Sequence, residues 1–78
     1  MIEKRKRRLI TFYSTSGAIA VERFCRENGY PGRLIPVPRE ISASCGLSWA
    51  VSEEEAEVIS RLEKAFAEEI EGTYAVEI

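Results

Sequence analysis

Two prolines at alternate positions, Pro36 and Pro38, constrain the fold of this chain more than any other feature. They lie in an extended, partly apolar stretch that predicts a β-strand over residues 33–38. Proline has no backbone N–H to donate, and at alternate positions both missing donors fall on the same side of the strand. Such a strand can pair on one side only. We therefore predict that it lies at the edge of a sheet.

Hydrophobic periodicity and capping residues predict the other elements. The first helix follows a run of hydroxyl side chains and ends at Asn28-Gly29, whereas a capping box of Ser52 and Glu55 begins the second helix and Gly72 ends it. In chain order, the predicted elements are strand one at 8–14, helix one at 15–28, strand two at 33–38, strand three at 47–51, helix two at 53–70 and strand four at 73–78.

The order β-α-β-β-α-β predicts an α+β, ferredoxin-like fold, a four-stranded antiparallel sheet with two helices on one face. Right-handed crossovers give the strand order 4-1-3-2, which independently places strand two at an edge. Residues 1–78 form a single domain in this prediction, with residues 1–7 as a basic N-terminal arm. Strand four is the other edge, and because it lacks proline it could pair with a second copy to form a homodimer.

The composition excludes several kinds of chemistry. The chain has no histidine, and all its acidic residues are glutamates, so the commonest general base and the commonest metal ligand are both missing. Its two cysteines are too few and too far apart for a disulfide scaffold or a zinc site. We therefore predict no metal site and no cofactor, and a carrier or accessory protein rather than a self-sufficient enzyme.

The N-terminal basic run, Lys4 to Arg8, favours a solvated arm over a nucleic-acid interface, because no second basic or aromatic patch supports it. No apolar run is long enough to span a membrane. The basic N-terminus is also not followed by the apolar segment of a signal peptide. These features predict a cytoplasmic protein without a membrane partner.

One cysteine, Cys45, stands in the turn between strands two and three. Strands one and two run in the same direction, so this turn and the start of helix one meet at the same end of the sheet. That helix start is formed by Ser14, Thr15, Ser16 and Gly17. Its unpaired N–H groups and partial positive charge favour a thiolate. We predict that Cys45 is an accessible, reactive thiol whose sulfur faces this helix start.

The neighbours of Cys45 favour the same chemistry. Arg39 adds a positive charge to the turn, and Gly46 leaves one flank of the thiol open. Ser42 and Ser44 can donate hydrogen bonds to an anionic sulfur. Without a histidine or aspartate as general base, such a thiol suits accepting and handing on a group better than hydrolysis.

The other cysteine, Cys25, lies in the apolar stripe of helix one beside Val21 and Phe24. It is predicted to be a buried core residue, more than about 10 Å along the helix from the Cys45 site and therefore too far to form a disulfide. Trp49, on strand three, is likewise predicted to be a core residue.

The segment from Leu34 to Gly46 resembles the signature of a family of small selenium/sulfur carrier-like proteins. It contains Pro-x-Pro-Arg at residues 36–39 and Ser-x-x-Cys-Gly at residues 42–46. The run from Phe12 to Thr15, followed by Ala18 and Glu22, is similar to the family's first strand and helix. The resemblance extends over about residues 8–78, so most of the basic arm precedes it.

This resemblance implies that Cys45 is the carrier cysteine, with Arg39, Ser42 and Gly46 as its companions in the motif. It would accept sulfur or selenium as a persulfide or perselenide from a donor such as a cysteine desulfurase-like protein, and pass it to an acceptor enzyme. Two alternatives stay open, a protein-interaction module with a structural or redox-sensing cysteine and a nucleic-acid-binding protein. The turn from Arg39 to Gly46 favours the carrier, because neither alternative requires it.

Overall fold

The structure, a computed structural model, describes residues 5–77 and forms a four-stranded antiparallel sheet in the order β2-β3-β1-β4. The α+β, ferredoxin-like fold and the predicted strand order are both confirmed. The elements are β1 (Lys6–Phe12), α1 (Thr15–Asn28), β2 (Arg33–Pro36), β3 (Leu47–Ser52), a 3₁₀ turn (Glu53–Glu55), α2 (Glu57–Ala65) and β4 (Ile70–Glu77).

Strand β2 lies at one edge of the sheet, as its prolines require. It pairs with β3 alone, from Arg33 opposite Ala50 to Pro36 opposite Leu47. The strand ends at Pro36, so Pro38 belongs to the following loop rather than to the ladder. The missing N–H groups therefore break no pairing in the sheet.

The helices pack on one face of the sheet and form a single apolar core with it. Ile10 and Phe12 of β1 contribute to this core, as do Trp49 and Val51 of β3. Fully burying side chains of this size stabilises the fold by about 1.5–3 kcal/mol each. From the helices, the buried members of the core are Ala18, Val21, Cys25, Val58, Ile59 and Leu62. The predicted core positions of Trp49 and Cys25 are confirmed.

Helix α1 begins and ends as its sequence predicts. The Ser14 hydroxyl accepts a hydrogen bond from the Gly17 N–H at 3.3 Å, which satisfies one of the free donors of the first turn. At the other end, Gly29 has a φ of 70°, and its N–H donates to the Cys25 carbonyl. This left-handed conformation is the usual C-terminal stop of a helix and favours glycine.

The second helix differs from its prediction at both ends. The Ser52 hydroxyl bonds the Glu55 carboxylate at 2.8 Å and caps no backbone N–H, so the capping box does not form and the first turn is 3₁₀. The α-helix ends at Ala65, and β4 begins at Ile70 and includes Gly72. Pairing of Ile70 with Phe12 satisfies backbone groups and half-buries an apolar side chain, and this outweighs the local helix propensity.

A β-bulge interrupts the pairing of β1 with β4. Thr11 pairs with Gly72 and Phe12 pairs with Ile70, which leaves Glu71 as the additional residue on β4. Bulges bend a strand and redirect the extra side chain. The bulge lies at the end of β1 from which α1 starts.

Part of the predicted basic arm belongs to the sheet. Strand β1 begins at Lys6, two residues before the predicted start, and Lys6 pairs with Glu77. Arg8 binds the Glu53 carboxylate through two hydrogen bonds of 2.9 and 3.0 Å, which raises the pKa of Arg8 and lowers that of Glu53. Residues 1–4 of the arm and Ile78 lie outside the described residues. Within the described range, no helix is long and apolar enough to cross a membrane.

Candidate functional site: the Cys45 loop

Residues 37–46, here called the Cys45 loop, connect β2 to β3. The Val37 N–H donates to the Gly46 carbonyl at 3.0 Å and closes the base of the loop. The Ile41 N–H donates to the Pro38 carbonyl at 3.0 Å, which forms a turn. The loop is therefore held by main-chain hydrogen bonds at its base and at its first turn.

The middle of the Cys45 loop is tied to β4. The Ser44 N–H donates to one carboxylate oxygen of Glu71 at 2.9 Å, and the Ser44 hydroxyl donates to the other at 2.8 Å. Strand β1 lies between β3 and β4 in the sheet. The loop therefore passes over the end of β1, where the chain leads into α1, and this agrees with the predicted topology.

The hydrogen bonds from Ser44 favour the ionised form of Glu71. Its pKa is lowered, first by the hydrogen bond from the Ser44 backbone and then by the one from the Ser44 side chain. The Ser44 hydroxyl is thus bound to Glu71, whereas the sequence had predicted that it would donate to the sulfur of Cys45. Ser44 fixes the loop in this structure and does not contact the thiol as a donor.

Cys45 is a free, half-buried cysteine whose sulfur lies against the backbone of Leu47. Its Sγ is 3.4 Å from both the nitrogen and the carbonyl oxygen of Leu47. The neutral thiol can donate to the carbonyl and accept from the N–H, whereas a thiolate can only accept from the N–H. The residue also packs against the core between the sheet and the helices, so part of its side chain is sheltered.

Gly46 directly follows Cys45, and the space that a side chain would take at this position is open. Its φ is 77°, in the left-handed region that favours glycine, and a Cβ at this position would meet no atom within 4 Å. The backbone, rather than crowding, therefore requires glycine here.

Arg39 and Ser42 are exposed residues of the same loop. Neither forms a hydrogen bond or an ion pair with any residue that the structure describes. The structure therefore places them in the loop without joining them to the sulfur by a contact. Their predicted roles at the thiol stay predictions.

The start of α1 lies against Glu69, a neighbour that the sequence pattern does not predict. The Tyr13 N–H donates to the Glu69 carbonyl at 3.2 Å. One Glu69 carboxylate oxygen lies 2.9 Å from the position that a Cβ on Gly17 would take. A carboxylate at this position competes with any thiolate for the positive end of the helix. Among the described residues, no hydrogen bond joins Cys45 to residues 14–17.

The observed positions of Glu69 and Glu71 differ from the prediction for one reason. The sequence pattern extends helix two to residue 70, which places both glutamates at the end of that helix. The structure instead begins β4 at Ile70, which brings Glu71 to the Cys45 loop and Glu69 to the start of α1. The only available signal was Gly72, which suits a strand bulge as well as a helix stop.

Cys25 provides a contrast with the loop thiol. It is fully buried, and desolvation raises its pKa to about 11. A thiol in this environment stays protonated and unreactive near neutral pH. In the part of the chain that is described, no group of acidic or cysteine side chains is arranged to hold a metal ion.

Comparison with family models finds a match over most of the chain. A family model described as "Putative Se/S carrier protein-like" matches residues 7–75. No curated protein and no solved structure matches the chain. The match covers most of β1 and most of β4, and it includes the whole Cys45 loop. The chain therefore belongs to the Se/S carrier protein-like family.

Proposed function

We propose that this protein is a thiol carrier, in which Cys45 accepts a sulfur or selenium atom and passes it to a partner enzyme. One observation carries the proposal. Of the two cysteines in the chain, Cys45 alone is partly exposed, and it lies in a loop fixed across the end of the sheet beside an open glycine. Membership of the family supports the same chemistry.

Loading needs no external oxidant or reductant. The Cys45 thiol gives its proton to solvent, and the thiolate attacks the outer sulfur of a cysteine persulfide on the donor protein. A new S–S bond forms as the S–S bond of the donor breaks, and the donor cysteine leaves as a thiolate with the bonding pair. Selenium would be transferred in the same way from a perselenide.

Delivery reverses these roles. A nucleophile of the acceptor enzyme attacks the outer atom held by Cys45, and the Cys45 thiolate leaves with the bonding pair. The N–H of Leu47, 3.4 Å from the sulfur, can stabilise this leaving thiolate. The chain thus returns to its starting state after each transfer.

The partner proteins supply what the chain lacks. The sequence has no histidine or aspartate, so proton transfer depends on water or on groups of the donor and acceptor. A cysteine desulfurase-like protein suits the role of donor, because it produces a protein-bound persulfide. In this proposal the exposed Arg39 and Ser42 meet the partner protein rather than the sulfur.

The test is intact-mass analysis after incubation with a cysteine desulfurase and cysteine. Wild type and the Cys25→Ala variant should gain the mass of one sulfur atom, and dithiothreitol should remove it. The Cys45→Ser variant should gain none. Loading that persists in Cys45→Ser, or no loading of wild type, would contradict the carrier and leave the interaction module as the better hypothesis.

A further inference from the structure

Glu71 occupies an unusual position for a surface carboxylate. It is the extra residue of the bulge on β4, opposite the end of β1. A bulge residue departs from the regular alternation of a strand, so its side chain can point where no regular strand position would. Here the Glu71 side chain reaches the Cys45 loop, which connects β2 and β3 in the other half of the sheet.

Both oxygens of the Glu71 carboxylate bind a single residue of the loop. One accepts the Ser44 N–H at 2.9 Å and the other accepts the Ser44 hydroxyl at 2.8 Å. Hydrogen bonds to an ionised acceptor are shorter and stronger than those between neutral groups. Because Ser44 directly precedes Cys45, this pair of bonds fixes the backbone next to the thiol.

The position so fixed shelters the sulfur. Cys45 is half-buried, packs against the core, and has the Leu47 backbone 3.4 Å from its Sγ. Attack on a persulfide requires the partner's reacting atom to approach along the S–S axis. A loop held in this place restricts that approach more than a released loop does.

We propose that Glu71 is the positioning residue of the Cys45 loop: by holding Ser44 with both carboxylate oxygens, it keeps the thiol sheltered until a partner displaces the loop. This inference rests on the proposed carrier function for its biological role, but the positioning itself concerns any reagent that reaches the sulfur. Release of Ser44 exposes Cys45, and rebinding of Ser44 shelters it again.

The experiment measures the rate of iodoacetamide alkylation of Cys45 against pH in the Cys25→Ala background. The Glu71→Ala variant should raise the plateau rate at high pH about fivefold, because two charge-assisted hydrogen bonds are lost. Glu71→Gln, which retains one acceptor, and Ser44→Ala, which retains the backbone bond, should each give a smaller increase. A change of charge alone would move the midpoint of the profile and would not raise the plateau, because a thiolate of lower pKa is a weaker nucleophile.

Glu68→Ala is the matched control. Glu68 is exposed and has no hydrogen bond or ion pair with the described residues, so its removal should leave the plateau unchanged. An unchanged plateau in Glu71→Ala, or an equal rise in Glu68→Ala, would overturn the positioning role. Intact-mass loading is measured in parallel. A raised plateau without sulfur loading would support the positioning role and refute the carrier function, so the two failures are distinguishable.

Discussion

The two cysteines of this chain carry the same thiol group but differ in burial and in the groups that surround the sulfur. Cys25 lies on the inner side of α1, fully buried, and desolvation raises its pKa to about 11. Cys45 lies in a loop at the end of the sheet, half-buried, with backbone polar groups at its sulfur. The first environment belongs to the apolar core, whereas the second offers backbone hydrogen-bond partners and partial exposure.

The difference follows from where a small two-layer domain can hold a reactive group. The space between the sheet and the helices is filled by side chains that stabilise the fold through burial. A thiol in that space stays protonated, because desolvation raises the free energy of its thiolate form. Loops at the end of the sheet carry less of the core and can present polar backbone. In this chain the bonds to Glu71 give such a loop a defined position.

The largest expected difference between the two thiols is in alkylation. A thiol with a pKa of about 11 is ionised to only about one part in a thousand at pH 8. Cys25 is also inaccessible to reagent. In native wild type at pH 8 we expect Cys45 to react with iodoacetamide at least about a hundredfold faster than Cys25.

Peptide mapping of the alkylated protein identifies the fast thiol, which should be Cys45. In urea, where the core is open, both thiols should react at similar rates. The contrast between the two environments would fail if Cys25 carried the fast phase in the native protein, or if the two rates already matched without denaturant.

The next largest difference is in stability. Cys25→Ser places a hydroxyl in a fully buried apolar site, which should lower the free energy of unfolding by about 1–3 kcal/mol. Cys45→Ser places the hydroxyl beside the N–H and carbonyl of Leu47, so it should cost less than about 1 kcal/mol. Urea unfolding followed by circular dichroism measures both values, and a larger loss for Cys45→Ser would reverse the comparison.

The sequence predicts the buried half of this comparison well. Helical spacing placed Cys25 on the inner stripe of α1, and the proline pair placed β2 at an edge; both are confirmed. These features depend on local periodicity and on the chemistry of a single residue type. The predicted order of strands and helices also brought the Cys45 turn to the end of the sheet at which α1 starts, and the observed strand order agrees with that topology.

The sequence did not predict what surrounds Cys45. The bonds from Glu71 and the approach of Glu69 to α1 depend on where β4 begins, and β4 begins inside a segment with strong helix propensity. Pairing with β1 decides the competition, and pairing between residues far apart in the chain leaves no local pattern. Ser44 was expected to donate to the sulfur of Cys45, but it donates to Glu71, a partner that the sequence does not reveal.

The smallest expected effect is the titration that accompanies release of the Cys45 loop. The two bonds from Ser44 lower the pKa of Glu71 below its ordinary value of 4.5. A carboxyl whose pKa is lower in the folded state contributes its stabilisation above the pKa of the unfolded chain and loses it as the pH falls through the folded value. Protonation of Glu71 should therefore weaken its bonds to Ser44 only below pH 4.5.

The Glu71 carboxyl carbon and the Ser44 amide proton, followed by NMR against pH, should titrate together with one midpoint below that value, and the urea-unfolded chain gives the reference. Ser44→Ala should raise the Glu71 midpoint only in part, because the backbone bond is the larger cause and is retained. A Ser44 amide that does not respond to this titration would show that Glu71 does not hold the loop in solution.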